Sequence, residues 1–155
     1  MKHHHYALTT KWTGNNGEGT SAYKSYERSY EVIINGKQII KGSSDPSFLG
    51  DKKKHNPEEL FLASISSCHM LWYLHLCTDA AVVVTDYIDY ATGTMVETIN
   101  GGGKFEEVIL NPVVTVKEFS MKDNAKLLHN KAHEHCFIAN SLNFNVSHKA
   151  SIIVA

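Results

Sequence analysis

Three cysteines are the residues of this 155-residue chain best suited to chemistry. Cys68 lies in the stretch SISSCH, inside an otherwise strongly apolar segment. Cys77 follows nine residues later, about half a turn away on a helix, and is most simply a core side chain. The small serines before Cys68 either let a small substrate reach the thiol, or permit close helix packing with their hydroxyls on backbone carbonyls. These residues alone leave both interpretations open.

A reactive Cys68 would need a nearby cation, because the thiolate and not the thiol is the nucleophile. Cys68 lies twelve residues past the expected helix cap, too deep for the field of the helix N-terminus to provide it. Arg28 is the leading candidate, since it lies on the aromatic and aliphatic face of an expected strand. The alternative is that Arg28 lies at a strand edge with its guanidinium in solvent.

The third cysteine, Cys136, belongs to the spacing His129-x3-His133-x2-Cys136, which places three possible ligands on one helical face. With Cys68 they would form a Cys2His2 set for zinc, although the chain has no Cys-x2-Cys knuckle. The other interpretation is that the two histidines only decorate a helix end. A zinc-stabilised domain is therefore one alternative to a reactive-thiol protein, and a dimeric module that binds an apolar ligand, with inert thiols, is another.

The surrounding elements indicate an α+β fold with antiparallel sheets, because strands are grouped around two helices and do not alternate with them. Period-two patterning and an Asn35-Gly36 pair predict a hairpin with a type I′ turn. The predicted order is βββ-α-ββ-α-β around a buried central helix, in one domain over residues 1–155: strands over 6–13, 26–34 and 37–41, a helix over 57–79, strands over 82–96 and 104–119, a helix over 122–135 and a strand over 143–155.

The first helix has the best start signal in the chain and an unusual surface. Asn56 at the cap, Pro57 at the first helical position and Glu59 three residues after the cap form a capping-box pattern. The helix is apolar on every side, whereas one sheet covers only one side of it. A second copy of the chain would cover the rest, so we expect a homodimer; the alternative is a monomer whose other elements wrap the helix fully.

Composition excludes several classes of partner. The formal net charge is -1, and the lone basic run at 52–54 is more typical of a solvated loop than of a phosphate-binding patch, so no nucleic acid is expected. The serines and histidines of the long apolar segment argue against a membrane span. Because the first residues lack the apolar stretch of a signal peptide, we expect a cytoplasmic protein without a disulfide framework.

Three motifs resemble the OsmC/Ohr family of osmotically inducible and organic-hydroperoxide-resistance thiol peroxidases. They are NPEELFLASISSCH at 56–69, GSSDPSFLGD at 42–51 and AHEHCFIANSLNFNV at 132–146. The resemblance implies an OsmC-like fold in an intertwined homodimer with two sites at the interface. It makes Cys68 the peroxidatic cysteine, Cys136 the resolving cysteine and Glu58 the family's glutamate. Arg28, the single arginine of the chain, is the assignment for the family's catalytic arginine; otherwise His69 or the lysines at 52–54 would have to serve.

The resemblance also implies a reaction. The protein would reduce organic hydroperoxides, and hydrogen peroxide as a second substrate, in oxidative stress defence, with no cofactor or metal. An external dithiol, of lipoyl or small-thiol type, would regenerate it. Ten residues separate Glu58 from Cys68, about 15 Å along a straight helix, too far for both to hold one guanidinium within a chain. We therefore expect the Glu58 that serves one Cys68 to come from the other subunit.

Overall fold

The computed structural model describes residues 1–155 and contains nine strands, two α-helices and three short 3-10 helices. The residues fall into two compact units, 1–61 and 62–155, with the boundary inside the first helix. In chain order the main elements are β1 Thr9–Trp12, β2 Tyr30–Ile33, β3 Ile40–Gly42, α1 Pro57–Asp79, β4 Val84–Asp89, β5 Thr92–Glu97, β6 Gly103–Leu110, β7 Pro112–Val116, α2 Lys122–His135, β8 Asn145–His148 and β9 Ser151–Val154.

The first unit contains an antiparallel sheet in the order β1-β2-β3. Tyr30 pairs with Gly42 across β2 and β3, and a side chain at Gly42 would overlap the Tyr30 ring. The hairpin was predicted, but its turn type was wrong. The Lys37 N–H donates to the Ile34 carbonyl at 3.1 Å, and only Gly36 has a positive φ, of 75°. A type I′ turn needs positive φ at both central residues.

The start and end of α1 follow from local hydrogen bonds. The Glu59 N–H donates to Asn56 Oδ1 at 2.7 Å, and the Asn56 N–H donates to Glu59 Oε2 at 3.3 Å, which is the expected capping box. At the other end Ala81 takes a left-handed φ of 55°, and the Val82 N–H donates to the Cys77 carbonyl at 2.8 Å. This closing pattern satisfies a terminal carbonyl and stops the helix where expected.

The second unit has two three-stranded sheets, β4-β7-β9 and β5-β6-β8. Antiparallel pairs join β4 to β7 and β5 to β6, whereas β6 pairs with β8 and β7 with β9 in parallel. One buried cluster joins the two helices to the first of these sheets: Tyr73, Cys77, Val82, Val114, Val116, Ala125, Leu128, Ala132 and Ile152. Both helix ranges and the α+β class are confirmed; the parallel pairs correct the purely antiparallel expectation.

The strand count is also corrected, because each of the last three predicted strands is two strands, giving the order βββ-α-ββββ-α-ββ. Asn111 marks one break: its N–H donates to Asp89 Oδ1 at 2.7 Å, and its side-chain amide donates to the Tyr90 carbonyl at 2.9 Å. Pro112 then opens β7, a first position that proline tolerates. The chain therefore leaves one sheet and enters the other at Asn111.

Much of the α1 surface is open in the single chain. Its fully buried residues are Ile65, His69, Tyr73 and Cys77, spaced four apart on one face. On another face, Leu71 is 62% exposed. By length and composition alone α1 could cross a bilayer, a criterion that the core helix of a soluble protein also meets. The chain thus leaves uncovered an apolar surface of the kind that a second molecule covers.

Candidate active site

Cys68 on α1 and Cys136, directly after α2, are the two thiols that the structure brings together. Cys68 is half-buried and Cys136 is fully buried; both are reduced, and their side chains lie close enough to interact. Burial, with a further contribution from the neighbouring Cys68 side chain, raises the pKa of the Cys136 thiol to about 11. Cys136 is therefore a protonated thiol at neutral pH, in contact with a thiol that is partly open to solvent.

The end of α2 places Cys136 at this contact. The Cys136 N–H donates to the His133 carbonyl at 3.3 Å, and Cys136 itself turns to an extended ψ of 106°. The Ala139 N–H then donates to Cys136 Sγ at 3.5 Å, and the Asn140 N–H to the Cys136 carbonyl at 3.0 Å. The last helical turn and the following 3-10 turn thus hold the residue from both sides.

The serines beside Cys68 have packing roles. Ser67 Oγ donates to the Ala63 carbonyl at 2.7 Å, one turn back along α1. Ser66 Oγ donates to Asp89 Oδ2 at 2.5 Å, which ties α1 to the end of β4. The Ser67 bond is the return to a backbone carbonyl that the packing interpretation expects, whereas the Ser66 bond goes to a carboxylate. Cys68 itself is only half-buried, so the two interpretations are compatible.

Arg28 is held by carbonyls and aromatic rings of its own unit. Its guanidinium donates to the Tyr26 carbonyl at 2.6 Å and to the Tyr23 carbonyl at 2.5 Å. The guanidinium carbon lies 4.4 Å from the Tyr23 ring centroid and 4.2 Å from that of Tyr26. It forms no ion pair with a carboxylate. The loop before β2 therefore fixes this cation, and the expected pair with Glu58 is not formed within the chain.

Glu58 lies in the first turn of α1 with an incompletely satisfied carboxylate. Its Oε2 atom is buried and has no hydrogen-bond partner. The carboxylate adds to the effect of burial in raising the pKa of Tyr30. A buried, unpartnered carboxylate oxygen is costly, because it has lost water without gaining a donor. The single chain therefore leaves Glu58 in need of a cation or a donor.

A cluster of histidines was not anticipated from the sequence. His69 Nε2 lies 3.0 Å from His129 Nδ1, and both side chains are fully buried. Burial, chiefly, lowers the pKa of His69 to about 4 and that of His129 to about 3. His148 lies 5.6 Å from His69 between ring centroids, and burial lowers its pKa as well. In the sequence, the four-residue spacing from Ile65 to His69 indicates only that His69 shares a helix face with an apolar residue.

The zinc alternative rested on His129, His133, Cys136 and Cys68. His129 is instead hydrogen-bonded to His69, which was outside that set. No group of three or more His, Cys, Asp or Glu side chains is arranged to hold a metal ion. The geometry therefore offers zinc no ligand set.

Aromatic side chains flank the thiols. Trp72 lies one turn after Cys68 on α1. Its ring packs edge-on against Phe137 at 5.4 Å and tilted against His135 at 5.2 Å, so it touches both neighbours of Cys136. Phe137 is 68% exposed. This apolar surface suits an apolar substrate better than a charged one.

Residues 50–151 match the model of the OsmC-like protein family. The chain belongs to the OsmC family. An OsmC-like protein of unknown function from Vibrio cholerae is 28% identical, with a TM-score of 0.86 over 96% of this chain and 100% of that one. No functionally curated protein matches this OsmC-like chain significantly.

Two solved organic hydroperoxide resistance proteins share the OsmC fold. The protein from Legionella pneumophila is 23% identical, with a TM-score of 0.67 over 96% of this chain and 98% of its own. The protein from Elizabethkingia anophelis is 21% identical, with a TM-score of 0.67 over 98% of this chain and 99% of its own. At these identities the likeness shows the fold, so activity has to be argued from the thiols.

Proposed function

We propose that this OsmC-family protein is a cytoplasmic, thiol-dependent peroxidase that reduces organic hydroperoxides, and hydrogen peroxide as a second substrate, in oxidative stress defence. The observation that carries the proposal is the contact between the half-buried Cys68 thiol and the fully buried Cys136 thiol. Burial sets their order: peroxide reaches Cys68, and Cys136 acts second. Two organic hydroperoxide resistance proteins have the same fold, which supports organic hydroperoxides as the class of substrate.

The reaction has two oxidative steps. The Cys68 thiolate attacks the distal peroxide oxygen, so an S–O bond forms, the O–O bond breaks and the alkoxide takes a proton to leave as an alcohol. Cys136 then attacks the Cys68 sulfenic acid. An S–S bond forms, the S–O bond breaks, and the hydroxyl leaves with the thiol proton as water. An external dithiol of lipoyl or small-thiol type reduces the disulfide and restores both thiols.

The activating groups complete the proposal. Arg28 stabilises the Cys68 thiolate and orients the peroxide, and Glu58 of the other subunit holds the guanidinium. Two features of the single chain support a homodimer in these roles. α1 leaves an apolar face open around Leu71, and Glu58 has a buried oxygen without a donor. A partner chain would satisfy both at once.

Mass mapping of disulfides tests the proposal. The reduced protein is exposed to cumene hydroperoxide and digested after the free thiols are blocked. We expect one Cys68–Cys136 bond per chain, absent from Cys68→Ser and fully retained in the matched control Cys77→Ser. Unreacted thiols in the wild-type protein would refute the peroxidase and favour the module that binds an apolar ligand with inert thiols.

A further inference from the structure

The two helices that carry the reacting thiols are joined by a buried pair of imidazoles. His69 Nε2 of α1 and His129 Nδ1 of α2 are 3.0 Å apart, and their ring planes are within 7° of parallel. The side chains are 1% and 0% exposed. The surrounding helix faces are apolar, so this bond is a directional contact in an otherwise non-directional interface.

We propose that His69 and His129 are positioning residues for the disulfide step of the proposed function, holding α1 and α2 in the register that keeps Cys68 and Cys136 in contact. His69 directly follows Cys68 on α1. His129 lies on the buried face of α2, which ends immediately before Cys136. A bond between these two histidines therefore fixes the helices close to each thiol, while neither imidazole needs to touch the peroxide.

The bond needs at least one neutral imidazole. A neutral ring has one N–H and one bare nitrogen, so one ring donates to the other, whereas two imidazolium rings have no acceptor. The outer nitrogens, His69 Nδ1 and His129 Nε2, are buried without partners. No carboxylate forms an ion pair with either ring. A proton added to this pair is thus an uncompensated charge in the core.

The groups that face the pair offer no compensation either. From α1, Tyr73 stacks on His129 at 3.8 Å between ring centroids. From β8, His148 lies 5.7 Å from His129, and from α2, His133 lies 6.2 Å from His148. Tyr87 of β4 packs on Tyr73 at 5.8 Å. Tyrosines and other imidazoles surround the pair, so its neighbours supply no counter-charge for an added proton.

The two oxidative steps should respond differently to loss of this bond. Sulfenic acid formation does not involve Cys136, whereas disulfide formation needs both helices in register. Small misplacements of reacting groups cost large factors in rate. A Cys68 sulfenic acid that waits for Cys136 can react with a second hydroperoxide, gaining an oxygen to become sulfinic acid and releasing an alcohol. Over-oxidation of Cys68 to sulfinic acid is therefore expected when the hydrogen bond between His69 and His129 is lost.

The test compares His129→Phe, which keeps a ring on Tyr73 but has no hydrogen bond, with His129→Gln, whose amide can still bond to His69. His75→Gln, at an exposed site of α1, is the matched control. Cumene hydroperoxide is added, sulfenic acid is trapped with dimedone, and disulfide is measured by mass. In His129→Phe we expect sulfenic acid to form within about twofold of the wild-type rate, and disulfide roughly ten- to a hundredfold more slowly. His129→Gln should recover most of the lost rate.

If the wild-type protein forms the disulfide but His129→Phe forms it equally fast, or if His129→Gln is as slow as His129→Phe, the positioning role is refuted. If the wild-type protein forms no disulfide, the proposed function itself fails.

Discussion

Acid should destabilise this protein through two particular side chains. Burial holds the pKa of His69 at about 4 and that of His129 at about 3, against 6.5 for an exposed histidine. Both rings are therefore neutral in the fold at pH values where the unfolded chain protonates them. Because a proton binds these histidines more tightly in the unfolded chain, acid lowers the free energy of unfolding. The stability that depends on the two neutral histidines is fully present above about pH 6.5 and is lost as the pH falls towards the folded-state pKa values.

The size of the effect follows from the proton count. At about pH 5 the unfolded chain holds nearly two more protons on these residues than the folded chain, which gives a slope of about 2.5 kcal/mol per pH unit. Integrated from about pH 7 to about pH 5, the loss is roughly 4 kcal/mol in the free energy of unfolding. Small domains have only about 5 to 15 kcal/mol in total, so this loss should dominate the acid limb of stability.

Urea unfolding followed by circular dichroism, at fixed protein concentration, measures this loss at a series of pH values. The double variant His69→Gln/His129→Gln removes the two titrating groups, and its stability should fall much less between about pH 7 and about pH 5, with the remaining loss coming from His148, whose pKa burial also lowers. His75→Gln, at an exposed position, should retain the wild-type slope. A wild-type loss below about 1 kcal/mol, or the same slope in the double variant, would refute the assignment to the buried pair.

Three further predictions concern other parts of the molecule. Arg28→Ala should slow the oxidation of Cys68 by peroxide and leave the stability of the fold nearly unchanged. Unchanged peroxide consumption would remove Arg28 from the mechanism. Leu71→Asp, on the open face of α1, should shift the protein towards monomer in size-exclusion chromatography, whereas an unchanged elution volume would place the subunit contact elsewhere. Asn56→Ala removes the cap of α1 and should cost about 1 kcal/mol in urea unfolding; no measurable loss would show that the capping box is dispensable.

Local signals predicted the elements that depend on local interactions. The capping pattern at Asn56 and the apolar run after it gave α1 its observed range, because the cap hydrogen bonds lie within four residues of one another. The long strands were read as unbroken, because β-branched residues continue through them. Their breaks depend on Asp89 and Asn111, which meet only when β4 pairs with β7. Asn111-Pro112 was the one local warning.

Some residues of the candidate site could likewise be predicted from the sequence, and others could not. The thiols could be named from sequence motifs, and the structure brings Cys68 and Cys136 together. The histidine pair could not be found, because helical periodicity says which residues of one helix share a face but not which face of another helix it meets. His129 was grouped with His133 by spacing along α2, whereas its partner, His69, is sixty positions away in the chain.

In the proposed mechanism burial sets the order in which the two cysteines react, and it also constrains how their disulfide would be reduced. In the disulfide, an external thiol can approach only the Cys68 sulfur, since Cys136 has no exposed surface. Cys136 must then be the leaving group, although its raised pKa makes its thiolate a poor one. Regeneration therefore needs a strongly reducing partner that completes the exchange intramolecularly. A dithiol meets this requirement, because its second thiol resolves the mixed disulfide at Cys68 before Cys136 can return.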